Sequence, residues 1–365
     1  MLGISILLLE LVGLLIPSNH YYWNNRQLFA SQDAFRPIGE NGLWTYQPNS
    51  QIQTAATYFL TKQHGWLEYR CNLQTNSLGL TQTNYTDQKQ VDFLVLGDSF
   101  TEGLGGCPWL TKENLEKEKV NGTVINGGLQ GGGIANFELL TRWLEPQVQI
   151  KNLILVVISN DFKRGLIANA WKNHDGCLKE GKCSDNPEED FVWGYDPKAS
   201  DEQILEMGRR RFAVASSNHK QSTTLHNLLG YHSFTYRLFL QYKAVFTKPK
   251  HPPETAEQLA SGPLLQGNFA ALNALRGRYP HLQLILIPQR DEVGLLGSPN
   301  LDTEVVKQRL TQDQVPFSQC DLSTADYMPI DGHPNQQGYQ KILRCVISAM
   351  DRTKSLRDQS LGVKQ

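Results

Sequence analysis

From residue 91 onward, short runs of apolar residues alternate with longer stretches of amphipathic character. Four of these runs are rich in branched residues and predict buried strands, at residues 91–96, 123–125, 153–158 and 282–287. Residues 134–144 and 335–350 instead have apolar positions at helical spacing. Because strands alternate with helices, the pattern predicts an α/β fold whose parallel sheet is covered on both faces.

Two other regions depart from this alternation. Residues 28–90 lack helical spacing and contain short aromatic and branched stretches, which predict a small β-rich extension before the main domain. Residues 162–265 form an insertion with two predicted helices, at 201–217 and 224–246, and we expect it to cap the site. The Arg triplet at 209–211 is interpreted as a solvated helix face.

The N-terminal segment 2–16 is apolar except for Glu10 and ends before Pro17. A helix of this length would span about 22 Å, against about 30 Å for a bilayer core. We predict an uncleaved membrane anchor, with a helix packed on the domain as the alternative. The predicted division is therefore an anchor at 1–23, the β-rich extension at 24–90, the α/β domain at 91–352, and a flexible tail at 353–365.

The amino-acid composition gives information on the compartment in which the protein is found and on the partners that it binds. The chain has 365 residues with 40% hydrophobic content and a formal net charge of -1, which gives no indication of a nucleic-acid partner. Its six cysteines could form three disulfides in an oxidising compartment, which together with the anchor predicts an extracytoplasmic, membrane-anchored protein. Cys177 and Cys183 are interpreted as a local bridge, while a loose metal site with His174 is the alternative.

Groups able to transfer an acyl group follow the predicted strands. Ser99 comes directly after the strand at 91–96, and His333 lies near the C-terminus with Asp331 two residues before it. A serine nucleophile needs a base to take its proton, and the base needs a group that fixes its tautomer. Ser99, His333 and Asp331 supply these three functions, with an ordinary turn serine as the alternative for Ser99.

Two further positions fit an oxyanion hole. Gly128 lies in a Gly-rich turn after the second strand, where a backbone amide can approach a developing negative charge. Asn160 follows the strand at 153–158 and could donate through its side-chain amide. A flexible turn for Gly128 and a turn or helix cap for Asn160 are the structural alternatives.

Together these segments resemble the blocks of the SGNH, or GDSL, hydrolase family. The GDSF sequence at 97–100 is similar to the first block, Gly128 to the second, Asn160 with Asp161 to the third, and the DGH sequence at 331–333 to the last. The resemblance implies a flavodoxin-like three-layer α/β/α fold. It also implies Ser99 as nucleophile, His333 as base and Asp331 as its acid. The amides of Ser99 and Gly128 and the Asn160 side chain would form the oxyanion hole.

The chain departs from the family in two places. The acid and base are separated by one residue instead of two, and the third block lacks its glycine. Residues 76–80 also resemble a segment of membrane-tethered bacterial members. The resulting hypothesis is a serine esterase that cleaves a small acyl ester. An acylated carbohydrate is one possible substrate, and the reaction needs no metal or organic cofactor. An O-acyltransferase acting on a polysaccharide and a non-catalytic glycan-binding module are the alternatives.

Overall fold

The computed structural model places most of the chain. The described residues are 10–11, 26–31, 34–38, 43–59, 64–166, 191–195, 198–218, 229, 233, 235–236, 239, 255–293 and 299–362.

The predicted β-rich extension is confirmed and contains five strands. They are β1 (Arg26–Ser31), β2 (Phe35–Ile38), β3 (Leu43–Tyr46), β4 (Gln51–Phe59) and β5 (Gly65–Gln74). Strand β4 pairs antiparallel with both β1 and β5, and β2 pairs antiparallel with β3. The alternating and aromatic-rich sequence of these strands suits half-buried, pleated surfaces.

The remaining elements belong to the α/β domain and its insertion. They are β6 (Gln90–Gly97), α1 (Ser99–Glu102), α2 (Lys112–Lys117), β7 (Val124–Gly128), α3 (Ile134–Leu144), β8 (Gln149–Val157), β9 (Phe191–Tyr195), α4 (Asp201–Asn218), α5 (Ala256–Ser261), α6 (Pro263–Arg278), β10 (Gln283–Leu286), α7 (Leu301–Gln312), β11 (Phe317–Gln319) and α8 (Gln336–Gly362). Short 3₁₀ turns occur at Ser159–Phe162, Arg290–Glu292 and Thr324–Asp326.

Five of the strands form one parallel sheet in the order β11-β10-β8-β6-β7. Counted along the chain from β6, this is the 2-1-3-4-5 order of flavodoxin-like folds, which confirms the predicted fold class. Strand β7 lies on one side of β6, and the later strands β8, β10 and β11 are added on its other side, so the strand order reverses at β6. The carboxyl ends of β6, β7 and β8 therefore surround one crevice, where such folds bind their ligands.

Both faces of the sheet are buried, as a continuous apolar strand requires. Leu153, Leu155 and Val157 of β8 belong to a core that includes residues of α3 and α6. Ile154 and Val156 point the other way, into a second core formed with α8. Because side chains alternate along a strand, an uninterrupted apolar run gives each face its own helical layer. The result is the three-layer α/β/α arrangement.

The insertion joins the N-terminal strands. Strand β9 pairs parallel with β1 and extends the sheet to β5-β4-β1-β9. Helix α4 packs on this sheet, where the ring of Phe212 stacks 5.7 Å from that of Phe59. Gly208 allows the close approach, since a Cβ there would lie 2.3 Å from Oγ1 of Thr57. The extension and the insertion, separated in the predicted domain division, are thus built around a shared sheet.

Several predicted boundaries move. Helix α8 runs to Gly362, so the predicted tail at 353–365 begins too early. Thr353 explains part of this, because its side chain is fully buried and bonds the Ala349 carbonyl one turn earlier. Strand β11 and helix α7 were not predicted. The predicted helix at 224–246 lies outside the described residues except for a few positions.

The anchor predicted at 2–16 also lies outside the described residues, apart from Glu10 and Leu11. In the described part of the chain, no helix is both long enough and apolar enough to cross a membrane. The Glu10 carboxylate accepts hydrogen bonds from the Ser233 hydroxyl and the Thr235 amide, at 2.6 and 3.1 Å. A charge that would be costly in lipid is therefore bonded to the insertion.

Two disulfides are formed among the described cysteines. Cys71 of β5 is bonded to Cys107, in the loop after α1, and Cys320 is bonded to Cys345 of α8. The bridge and the metal site weighed for Cys177 and Cys183 lie outside the described residues, as does His174. Within the described ranges, no cluster of metal-binding side chains occurs.

Candidate active site

Ser99 lies at the point where β6 turns into the short helix α1. Asp98 caps this helix, and its Oδ1 accepts a hydrogen bond from the Phe100 amide at 2.9 Å. Gly97 makes the turn sterically possible, because a Cβ there would lie 2.0 Å from both the Val156 carbonyl and the Thr101 hydroxyl. Ser99 is thereby held at the carboxyl end of a central strand, with an amide that has no partner within its helix.

His333 and Asp331 complete a triad with Ser99. Oγ of Ser99 lies 2.8 Å from Nε2 of His333, and Nδ1 of His333 is hydrogen-bonded to Oδ2 of Asp331. The carboxylate of Asp331, a residue only 2% exposed, accepts this bond and so favours the tautomer in which Nδ1 carries the proton. Nε2 is then free to accept the Ser99 proton.

The short spacing between the acid and the base depends on Gly332. This residue has φ of 79°, a left-handed conformation that favours glycine, and it folds residues 331–333 into a tight turn. The Met328 amide closes the turn by donating to the His333 carbonyl at 2.7 Å. The departure from the family spacing is thus compatible with a direct bond from Asp331 to His333.

The loop after α1 supports the base from the other side. Gly105 packs against His333, and a Cβ at Gly105 would lie 2.9 Å from that of the histidine. The Tyr339 hydroxyl of α8 donates to the Leu104 carbonyl at 2.7 Å and holds the same loop. The Phe100 ring lies 5.0 Å from the imidazole. The position of the imidazole is therefore fixed by packing as well as by Asp331.

Asn160 follows β8, the strand next to β6, in the turn Ser159–Phe162. Its side chain is partly buried, and no acceptor among the described residues takes its amide protons. The neighbouring Ser159 is fully buried and bonded to the Gln289 side chain at 3.1 Å, which anchors the turn. An anchored turn with an available amide fits the role predicted for Asn160.

Gly128 ends strand β7, and its amide is already bonded in this structure. Its amide donates to Oδ1 of Asn126 at 2.9 Å, so in this structure it is not available to an oxyanion. Its small size is needed for packing, because a Cβ there would lie 2.2 Å from the Glu102 amide nitrogen. Gly131, three residues on, has φ of 71°, and its amide has no acceptor among the described residues. The Asn126 side chain therefore competes for the donor predicted at Gly128.

Arg164 joins the three strand ends, and the sequence did not point to it. Its Nη1 atom lies 2.8 Å from Oδ2 of Asp98 and 2.9 Å from Oδ1 of Asp161, and it donates to the Gly132 carbonyl at 3.1 Å. Both carboxylates are fully buried. Burial and the Asp98 charge raise the pKa of Asp161 well above its usual value, while Arg164 opposes this.

A second buried acid lies on α1 itself. Glu102 accepts a hydrogen bond from the Tyr46 hydroxyl of β3, and the Gln130 amide also stabilises its carboxylate form. Burial raises the pKa of Glu102 to about 8, although the hydrogen bond from Tyr46 acts in the opposite direction. The helix that carries Ser99 is thus bonded to the N-terminal strands.

The geometry brings together Ser99, Asp331 and His333 as predicted, and it places Asn160 at the neighbouring strand end. Such a site can activate a hydroxyl for attack on an acyl group. Glu68, an acid that like Glu102 was missed by the sequence reasoning, contacts the turn at 331–333 from strand β5. Neither Glu68 nor Arg164 lies within a recognisable motif.

Comparisons with known proteins find solved structures that resemble this chain only weakly. No protein-family profile and no curated protein matches the chain. An extracellular lipase from Streptomyces rimosus is 12% identical with a TM-score of 0.32, covering 71% of this chain and 99% of that chain. A carbohydrate esterase family 2 enzyme from Myceliophthora fergusii is 12% identical with a TM-score of 0.34, covering 89% and 86%. An acetyl xylan esterase from Butyrivibrio proteoclasticus is 12% identical with a TM-score of 0.27, covering 76% and 65%. Similarities this low support no argument about function.

Proposed function

We propose that the protein is a serine ester hydrolase that works through an acyl-Ser99 intermediate. The observation that carries this proposal is the 2.8 Å contact between Oγ of Ser99 and Nε2 of His333, with Asp331 on the other ring nitrogen. A surface or structural histidine would not need a carboxylate on one ring nitrogen and, on the other, a serine hydroxyl at the end of a central strand. This arrangement supports acyl transfer in preference to the binding-module alternative.

In the first half-reaction, Oγ of Ser99 attacks the ester carbonyl and its proton passes to Nε2 of His333. Asp331 stabilises the imidazolium that forms. The tetrahedral intermediate then collapses, the alcohol leaves with the proton from His333, and the acyl group remains on Ser99. In the second half-reaction, His333 takes a proton from water, which attacks the acyl-serine; the acyl–Oγ bond then breaks, His333 returns the proton to Oγ of Ser99, and the carboxylic acid is released.

The developing oxyanion needs donors that are already in place. We assign the Asn160 side chain, the Ser99 amide and the Gly128 amide to this role, as the sequence predicts; the Gly128 amide would exchange its bond to Oδ1 of Asn126 for one to the oxyanion. The Ser99 amide and the Asn160 side chain have no acceptor among the described residues, and all three donors lie at the carboxyl ends of β6, β7 and β8 or in the turns that follow. One such donor is worth about 3–4 kcal/mol in the transition state.

Aryl esters of acetate, butyrate and octanoate test the reaction and its acyl preference. We expect turnover by the wild type, loss of it in Ser99→Ala, and wild-type rates in Ser261→Ala, an exposed helix serine far along the chain. A fluorophosphonate should add its phosphonyl mass to Ser99 alone. Unchanged ester turnover in Ser99→Ala would show that the assignment is wrong. Acyl transfer to an added oligosaccharide in preference to water would favour the acyltransferase.

The two disulfides support an extracytoplasmic location, since such bonds persist in oxidising compartments. An acylated carbohydrate as substrate and a membrane tether through residues 2–16 are proposed on the sequence alone. Both would place the enzyme at the cell envelope, where ester-modified polymers are accessible to it.

A further inference from the structure

A carboxylate from outside the α/β domain holds the turn that carries the acid and the base. Oε1 of Glu68 lies 2.6 Å from the Ile330 amide and 3.1 Å from the Asp331 amide, and Oε2 lies 3.0 Å from the Asp331 amide. Glu68 belongs to β5, in the N-terminal sheet. Hydrogen bonds that a charged acceptor makes with amides are about twice as strong as neutral ones.

The same sheet also buries the residue at the start of this turn. Ile330 is 2% exposed and packs with Tyr58 of β4 and Trp66 of β5. The two aromatic rings lie 5.1 Å apart. The backbone immediately before Asp331 is therefore held by an apolar contact and by a carboxylate, both from the N-terminal strands.

Strand β5 is also tied to the opposite side of the base. Cys71, three residues after Glu68, is bonded to Cys107, and its sulfur lies 3.6 Å from the Gly105 carbonyl. Gly105 is the residue that packs against His333. One strand thus holds both the turn that precedes the imidazole and the loop that faces it.

We propose that Glu68 is a positioning residue that keeps Asp331 and His333 aligned with Ser99, so that the N-terminal sheet is part of the catalytic machinery. This inference rests on the proposed function. Without Glu68 the turn at 331–333 loses the acceptor of two amides. The left-handed Gly332 then gives the turn freedom to move the imidazole away from Ser99.

The test compares Glu68→Ala and Glu68→Gln with the wild type. Glu68→Gln is isosteric and keeps one acceptor oxygen, but it places an amide donor near the Asp331 amide. Asn72→Ala is the matched control, because Asn72 is exposed on the same strand and its side chain accepts a hydrogen bond from that of Gln53, away from the turn at 331–333. Melting curves establish that each variant folds, and Glu68→Gln carries the test if Glu68→Ala does not.

For an aryl acetate, Glu68→Ala should lower kcat about 100-fold, the effect expected of roughly 1 Å of misplacement. Glu68→Gln should lose about tenfold, with KM within about twofold in both, since Glu68 does not contact substrate. A kcat of Glu68→Ala within about twofold of wild type would overturn the proposal. A rise in KM with unchanged kcat would also overturn it, because that pattern belongs to substrate binding.

A second readout does not depend on turnover. In protein labelled with ¹⁵N-histidine, the Nδ1 proton of His333 should give a low-field resonance, assigned by its loss in His333→Asn. We expect Glu68→Ala to abolish this resonance and Asn72→Ala to retain it. An intact resonance in Glu68→Ala contradicts the inference even if the wild type cleaves no ester. Absent turnover in a wild type that shows the resonance contradicts only the proposed function.

Discussion

Oδ2 of Asp98 lies 2.8 Å from Nη1 of Arg164, and this pair joins the turn of the nucleophile to the turn that carries Asn160. Arg164 has 23% side-chain exposure, whereas the carboxylates of Asp98 and Asp161 have none. Two buried carboxylates therefore share one cation. The geometry of both turns depends on an ion pair that has no direct part in the proposed reaction.

Replacing Arg164 by Met should lower the free energy of unfolding by about 3–5 kcal/mol at pH 7, because the buried carboxyl groups of Asp98 and Asp161 lose their cationic partner. The loss should shrink towards pH 4, since Asp161, whose pKa is already raised, can then take up a proton in the folded state. Urea unfolding at both pH values measures this.

Arg142→Met is the matched control for that experiment. Its guanidinium pairs with Glu138 at 2.5 Å, but the Arg142 side chain is 62% exposed. Glu138 is buried, but it also pairs with Arg278 at 3.1 Å and keeps that partner, so losing the exposed Arg142 guanidinium should cost about 0–1 kcal/mol. Equal losses in the two variants, or a loss in Arg164→Met that does not depend on pH, would contradict the role given to Arg164.

Replacing Asn160 by Ala should lower kcat for an aryl ester by about 10²- to 10³-fold, because one oxyanion donor is removed. Asn160→Asp should lose at least as much, since it keeps the shape of the side chain and replaces the donor with a negative charge. Steady-state kinetics give both values. Wild-type kcat in Asn160→Ala would remove this side chain from the oxyanion hole.

Glu102 predicts a pH dependence of stability. Burial raises its pKa to about 8 in the folded protein, against an ordinary value of 4.5, so between these values the folded state holds a proton that the unfolded state has released. Raising the pH through this window therefore favours unfolding, by up to about 1.4 kcal/mol per pH unit. Glu102→Gln lacks this effect.

Urea unfolding of both proteins at pH 5, 6.5 and 8 tests the sign. The stability of Glu102→Gln relative to wild type should increase with each step, and parallel pH profiles would show that Glu102 is not buried with a raised pKa. Tyr46→Phe removes the hydrogen-bond donor while keeping the carboxyl, so it should retain the pH dependence.

The elements that could be predicted from the sequence are those whose buried positions are occupied by a recognisable pattern of apolar residues. Strands β6, β8 and β10 follow from apolar runs, and α3 has the bounds Ile134–Leu144 that its spacing indicates. Strand β11 has three residues and lies at the sheet edge, with Gln319 exposed, so it leaves no apolar run to detect. The triad was predictable because its residues lie next to strand ends and helix starts.

The contacts missed by the sequence reasoning are those made between distant segments. Glu68 reaches the turn at 331–333 across a separation of 262 residues from Ile330, and nothing in the local sequence of β5 marks it. A glycine pattern also does not show which side chain competes for an amide proton, as at Gly128. Here that side chain is Asn126, two residues earlier.

The pairing of β9 with β1 has a consequence for the order of folding. During synthesis β1 leaves the ribosome early. Strand β9 emerges only after β6, β7 and β8, the first three strands of the α/β sheet, have been made. The N-terminal sheet thus gains its last strand late, through a contact of high sequence separation, which slows folding. A fragment that ends before residue 191 would leave one edge of β1 open to another chain, a route to aggregation.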